Sequence, residues 1–195
     1  MKKKSHISLV IIIISLSLYC CYHIYYYFLD KGSNDLIRDY YQSSVPLIDQ
    51  EPIVKKMDNE IKEEYLGILK IPKINLQTGF YNINSKKNNV NESVTILKES
   101  TMPNNNGSII YLTAHSGYGY LAFFKDLDKL ELDDLIMIDI NNNSYQYIVS
   151  DIYEMDKTGK IVVNHNIHEN YLVLSTCSNN KDKQLVVVGK LIKNI

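Results

Sequence analysis

The stretch Tyr171-Leu-Val-Leu-Ser-Thr-Cys177-Ser-Asn-Asn-Lys-Asp-Lys183-Gln184-Leu-Val-Val-Val-Gly-Lys-Leu-Ile-Lys193 contains two apolar runs joined by a polar link. Short, continuous, β-branched runs bounded by turn residues read as strands buried on both faces. Strands are therefore predicted at Tyr171–Thr176 and Leu185–Lys193. The polar link from Ser178 to Lys183 places Cys177 at a strand end near solvent, although a buried core thiol is the plainer fate of a free cysteine.

Working outward, the sequence from Tyr65 onward breaks into similar short runs punctuated by Asn and Gly clusters. Further strands are predicted at Leu66–Lys70, Gly79–Tyr81, Ser108–Thr113, Leu135–Ile140, Ser144–Tyr153 and Lys160–Val163. Asn141-Asn-Asn143 between two of them is a hairpin signal, because Asn tolerates positive φ. Leu121, Phe124, Leu127 and Leu130 predict one short helix over Tyr120–Leu130. Many short strands with one or two short helices point to a mainly β chain whose sheet closes, or nearly closes, into a barrel of about eight strands.

At the other end, Lys2, Lys3 and Lys4 precede Ile7–Leu29, a run without a charged residue apart from a charge that His23 could carry. About 20 such residues span a bilayer as a helix, and leading lysines favour an N-terminus inside. Tyr25, Tyr26 and Tyr27 fall where an interfacial aromatic belt would lie. Cys20, Cys21 and Tyr22 offer no small-residue cleavage site, so the segment reads as an uncleaved transmembrane anchor rather than a signal peptide. Residues 1–29 are thus the cytoplasmic lysines and anchor, 30–64 a polar, partly helical spacer, and 65–195 the barrel domain, placed outside a cell membrane crossed once.

A net charge of −1 over 195 residues gives no reason to expect nucleic acid as a partner. Three cysteines cannot all pair, and a disulfide from Cys20 or Cys21 to Cys177 would cross a membrane boundary, so Cys177 is expected to be a free thiol. The sequence holds no Cys-x-x-Cys and no His-x-x-x-His pair, which leaves dithiol redox and zinc chemistry unsupported. Leu112-Thr-Ala-His115-Ser-Gly117 ends another predicted strand with an imidazole. Imidazole can activate sulfur and then protonate a leaving amine, so Cys177 and His115 together carry the parts of nucleophilic acyl transfer. His6, His23, His165 and His168 are assigned to structure or solvent.

These residues resemble the sortases, membrane-anchored cysteine transpeptidases of Gram-positive bacteria. The resemblance covers roughly residues 65–193. It rests on Gly67-Ile-Leu-Lys-Ile-Pro-Lys-Ile-Asn75, Thr113-Ala-His115-Ser-Gly117 with Phe123-Phe-Lys-Asp-Leu-Asp-Lys-Leu130, and Leu174-Ser-Thr-Cys177 with Leu185-Val-Val-Val-Gly-Lys-Leu191, in that order. Histidine precedes cysteine, the reverse of papain-like proteases. The resemblance implies the sortase-type closed barrel, Cys177 as nucleophile, His115 as acid and base, and no cofactor. Some sortases use calcium, but Glu92, Glu99 and Asp139 are too scattered to select a site.

One element departs from the family pattern. An arginine is expected at the start of the last strand to orient substrate and stabilise the oxyanion, and Gln184 stands there. Arg38 is the only arginine in the chain. Gln184 can donate through its amide but brings no charge and no bidentate fork. It is retained as the third catalytic candidate, with Lys181 or Lys183 as helpers; Thr176 and the backbone amide of Ser178 are candidate substrate or oxyanion contacts. The implied function is cleavage of a Leu-Pro-x-Thr-Gly-like sorting signal through a thioacyl enzyme and transfer to an amine of the peptidoglycan precursor or of another protein subunit. Two alternatives stay open: a weak or inactive barrel that binds cell-wall or sorting peptides, and a hydrolytic cysteine protease. The sorting pentapeptide, the acceptor amine and the subclass are not specified.

Overall fold

A computed structural model describes residues 2–43, 65–103 and 107–194. The chain falls into two units, Met1–Asp35 and Leu36–Ile195. One helix, α1 (Lys2–Ser43), begins in the first and ends in the second. It contains the one stretch among the described residues that is long and apolar enough to cross a membrane. Val10 to Ile14, Leu16 and Leu18 are exposed, as a lipid-facing surface would be. The helix runs through Leu29 without a break, so the first part of the predicted spacer is helical throughout; residues 44–64 lie outside the described residues.

Among the described residues the second unit has eight strands: β1 (Tyr65–Ile71), β2 (Leu76–Tyr81), β3 (Thr95–Ile96), β4 (Ser108–Thr113), β5 (Leu135–Ile140), β6 (Asn143–Asp156), β7 (Asn170–Cys177) and β8 (Lys183–Asn194). They form one sheet in the order β2-β1-β5-β6-β8-β7-β4-β3. A bridge between Phe80 and Val94 brings the β2 edge to the β3 edge and nearly closes the barrel. Neighbours pair antiparallel except β4 with β7, which run parallel. The predicted β5–β6 hairpin is present, with Asn141 and Asn142 at φ 50° and 65° as a primed two-residue turn requires.

Two predictions fail for identifiable reasons. Over 120–130 the structure has turns and a short 3₁₀ segment, Leu127–Lys129, in place of an α-helix. The backbone bonds run i to i+3, from Ala122 to Gly119, Lys125 to Ala122, Leu127 to Phe124 and Leu130 to Leu127. Apolar residues spaced by three match three residues per turn, and Phe124, Leu127 and Leu130 are buried by that geometry. Lys160–Val163 forms no strand. Its alternation is real, but Ile161 and Val163 pack onto the outer face of β7 and β8 without joining a ladder. The two-residue β3 was too short to leave a periodic signal.

Two apolar layers hold the sheet. The interior contains Leu69, Phe80, Ile110, Leu112, Phe124, Ile138, Leu174 and Val187. The second layer lies on the outer face, where Val173, Val186 and Val188 are covered by Ile161, Val163 and Tyr153. Burial on both sides explains the uninterrupted apolar runs of β7 and β8.

The end of α1 packs on the barrel through Asp139 of β5. Tyr41 donates to its Oδ2 at 2.5 Å, Lys70 Nζ lies 2.7 Å from the same oxygen, and Tyr40 donates to the Asp139 carbonyl at 3.1 Å. Ile37 is buried beside them in the same unit. Burial alone would raise the Asp139 carboxyl, but hydrogen bonds from Lys70, Tyr41 and Ser144 outweigh it and hold the group below the ordinary range. Burial likewise opposes the Lys70 charge, yet its bonds to Asp139 and Tyr41 leave it raised. The Asp139 contribution is whole above roughly pH 4 and is lost as pH falls through the lowered value; that of Lys70 is whole below roughly pH 10 and is lost as pH rises beyond it. Asp139→Asn is expected to cost about 1–3 kcal/mol and to flatten the acid limb of thermal midpoint against pH. An acid limb identical to that of the wild type would show that this cluster does not tie the helix down.

Candidate functional site

Three neighbouring strand ends converge. The parallel register of β4 and β7 pairs Thr113 with Ser175, so two residues further on His115 stands level with Cys177. Polar links carry that register past the end of β4. Ala114 N–H donates to Ser175 O at 3.4 Å, Thr176 Oγ1 to Ala114 O at 2.8 Å, and Ser116 Oγ to Cys177 O at 2.8 Å. On the other side, the antiparallel register of β7 and β8 sets Gln184 directly opposite Cys177. Adjacent strands lie about 4.8 Å apart, so all three residues fall within two strand spacings.

The local sequence fixes how each is presented. Gly117, at φ 95°, turns the chain immediately after His115-Ser116, in a region that side-chain-bearing residues avoid. Phe124 N–H then returns to the His115 carbonyl at 3.0 Å, so the buried Phe124 anchors the histidine backbone. The His115 ring is exposed, with Nε2 3.3 Å from Asn91 Oδ1. Cys177 is a free, exposed thiol. Gln184 is the opposite case: its Nε2 is sealed from solvent and has no hydrogen-bond partner among the described residues. A buried amide donor without an acceptor is costly, by roughly 1–3 kcal/mol.

Two hollows flank this row. One, of about 540 Å³, runs along the outer face between Tyr111, Thr113, Ser175, Ile161, Val162 and Gln184. The other, of about 840 Å³, opens at the barrel mouth and is lined by Cys177, Ser116, Tyr118, Lys125, Glu154 and Lys181, among others. Cys177 and Gln184 are ladder partners yet line different hollows, which puts the thiol at the border between them. An exposed thiol with an imidazole at the neighbouring strand end and a buried N–H across the ladder has the parts for attack on an acyl carbon.

Comparison with known proteins agrees with this geometry. Residues 69–192 match the family model described as the sortase domain. The chain belongs to the sortase family. It is 27% identical over 150 residues to a sortase A of Bacillus anthracis, covering 74% of this chain and 69% of that protein. Among solved structures it resembles a Clostridium perfringens sortase D5 transpeptidase, with 25% identity, TM-score 0.57 and coverage of 69% and 83% of the two chains. A sortase C1 of Streptococcus agalactiae gives 27% identity, TM-score 0.59 and coverage of 67% and 69%. Members of the sortase family are cysteine transpeptidases.

Within this sortase, the candidate contacts Thr176 and Ser178 both line the larger hollow with Cys177 and also bond within the fold. The Ser178 backbone N–H donates to Lys183 O at 3.0 Å, closing the β7–β8 turn, so it is not a spare oxyanion donor. Its side chain donates to Glu154 Oε1. Thr176 is 5% exposed and its hydroxyl donates to Ala114 O, which ties β7 to β4, and the residue also lines the larger hollow with Cys177. Lys183 neighbours Gln184 on β8 and so projects to the opposite face, while Lys181 is exposed on the larger hollow. Asp139 is held by Lys70 and Tyr41, and Glu99 lines the smaller hollow.

Asn91 and Ser116 were not anticipated. Ser116 sits one residue after His115, and only the parallel pairing reveals that it reaches Cys177. Asn91 lies in the Asn-rich stretch between β2 and β3, where nothing distinguishes it from Asn88 or Asn89 by sequence.

Proposed function

We propose that this chain is an active cysteine transpeptidase acting on a sorting signal of the Leu-Pro-x-Thr-Gly kind, with Cys177 as nucleophile, His115 as acid and base, and Gln184 as oxyanion donor. The observation that carries this reading is the row of three strand ends that sets His115 and Gln184 on either side of an exposed thiol. The peptide lies along the smaller hollow, with its Thr–Gly bond over Cys177. Cys177 gives its thiol proton to His115, the sulfur attacks the threonine carbonyl carbon, and the C=O π pair moves to the oxygen, an oxyanion that accepts from Gln184 Nε2. Collapse breaks the C–N bond, and His115 gives its proton to the departing glycine amine. A thioester on Cys177 remains. An acceptor amine entering from the larger hollow, which Lys125, Glu154 and Lys181 line, attacks it, His115 takes the amine proton, and the thiolate leaves with a new amide formed.

The chemistry calls on no metal or organic cofactor. The apolar part of α1 would hold the enzyme at the outer face of the membrane, where exported substrates and a lipid-linked or protein-borne amine are concentrated. The test is product analysis with full-length protein in detergent, given a panel of sorting-signal peptides and an amine. The expected result is a ligated peptide–amine product that needs both reactants. Cleavage that ignores the amine would point to a protease, and no turnover of any peptide would point to a barrel that only binds.

A further inference from the structure

The stretch between β2 and β3 spends its polar side chains on itself. Asn84 N–H donates to Asn82 Oδ1 at 3.0 Å, Asn89 Nδ2 to Lys86 O at 2.8 Å, Asn91 N–H to Asn89 Oδ1 at 3.1 Å, and Ser93 Oγ to Lys87 O at 2.7 Å. Such side-chain-to-backbone bonds fix a loop that has no strand partner. Asn88 then staples the loop to the sheet: its Nδ2 donates to Ile96 O at 3.0 Å, and Ile96 N–H donates to its Oδ1 at 2.9 Å. Ile96 is in β3, which pairs with β4, the strand that leads into His115. Asn91 and His115 are therefore held in one frame, and the side chain of Asn91 ends 3.3 Å from the ring.

We propose that Asn91 is a positioning residue for His115: its Oδ1 accepts from Nε2–H, which fixes the ring orientation and leaves Nδ1 as the nitrogen that exchanges protons with Cys177 and the substrate amines. This rests on the reading of Cys177 and His115 given above. An imidazole has two nitrogens, and the hydrogen bond made by one decides which proton the other carries. An exposed histidine with no such partner would divide its time between ring orientations and tautomers, of which only a part is productive. Asn91 removes that division without adding charge, and it touches neither the reacting sulfur nor the peptide.

The test is ¹⁵N NMR of histidine-labelled full-length protein in detergent, at alkaline pH where the ring is neutral, with His115→Gln assigning the signal. The wild type is expected to show the Nε2–H tautomer. Asn91→Ala is expected to mix the tautomers and to lower kcat about tenfold with KM within twofold. Asn91→Asp, which keeps an acceptor at that place, is expected to restore the tautomer. An unchanged tautomer in Asn91→Ala overturns the proposal, whatever happens to the rate. The tautomer is read without substrate, so it stands apart from turnover by the wild type, which decides the functional reading.

Discussion

Alanine at position 115 is expected to lower kcat/KM for peptide transfer by about 10²–10⁴-fold while leaving the thermal midpoint within a degree or two. In the proposed mechanism His115 would serve both half-reactions, as acid when the glycine amine leaves and as base when the acceptor amine enters, so no single added reagent would restore both. Its ring is exposed and its contact with Asn91 is at the surface, so little packing is lost with it. Steady-state kinetics beside a melting curve separates the two effects. A loss of activity matched by a loss of fold would mean that the residue is structural, and an unchanged rate would remove it from the mechanism.

The second large effect concerns Gln184, where stability and activity are expected to move apart. Its Nε2 is buried without a partner among the described residues, so Gln184→Leu should leave stability unchanged or raise it by up to about 1 kcal/mol. If that N–H waits for the oxyanion, the same change should cost about 10²–10³ in kcat, as loss of one preorganised donor does elsewhere. Gln184→Glu is nearly isosteric but only accepts when ionised, so it should fall below leucine in rate. Kinetics and melting of the three proteins decide it. A destabilised leucine variant with full activity would show that Gln184 fills space and nothing more.

These expectations could be framed because much of the site was legible before any coordinates. Cys177 was placed at a strand end by the change from Thr176 to the polar link, and β7 ends there. The apolar runs of β7 and β8 declared burial on both faces, and both apolar layers are present. What could not be read was pairing. Sequence gives no sign that β4 and β7 lie side by side in parallel, and this alone brings His115 level with Cys177. Nor does the sequence show that the Ser178 amide, a candidate contact, bonds to Lys183 O, since that bond exists only once the turn has closed. Spacing by three over 120–130 reads as an α-helix, and alternation at Lys160–Val163 as a strand, because one-dimensional periodicity does not reveal which bonds the backbone makes. The stripe Leu36, Ile37, Tyr40 and Tyr41 at the end of α1 was hidden by the charged residues among which it lies, although Tyr41 and Tyr40 both reach Asp139.

Intact-mass spectrometry of the full-length protein, mixed with a sorting-signal peptide in the absence of added amine and quenched in acid, reports directly on the bond that the site is proposed to form. The predicted result is a mass increase equal to the peptide up to its threonine, located on Cys177 by peptide mapping, discharged by hydroxylamine and missing from Cys177→Ala. An adduct on another residue, or a peptide that is turned over with Cys177 replaced, would contradict it.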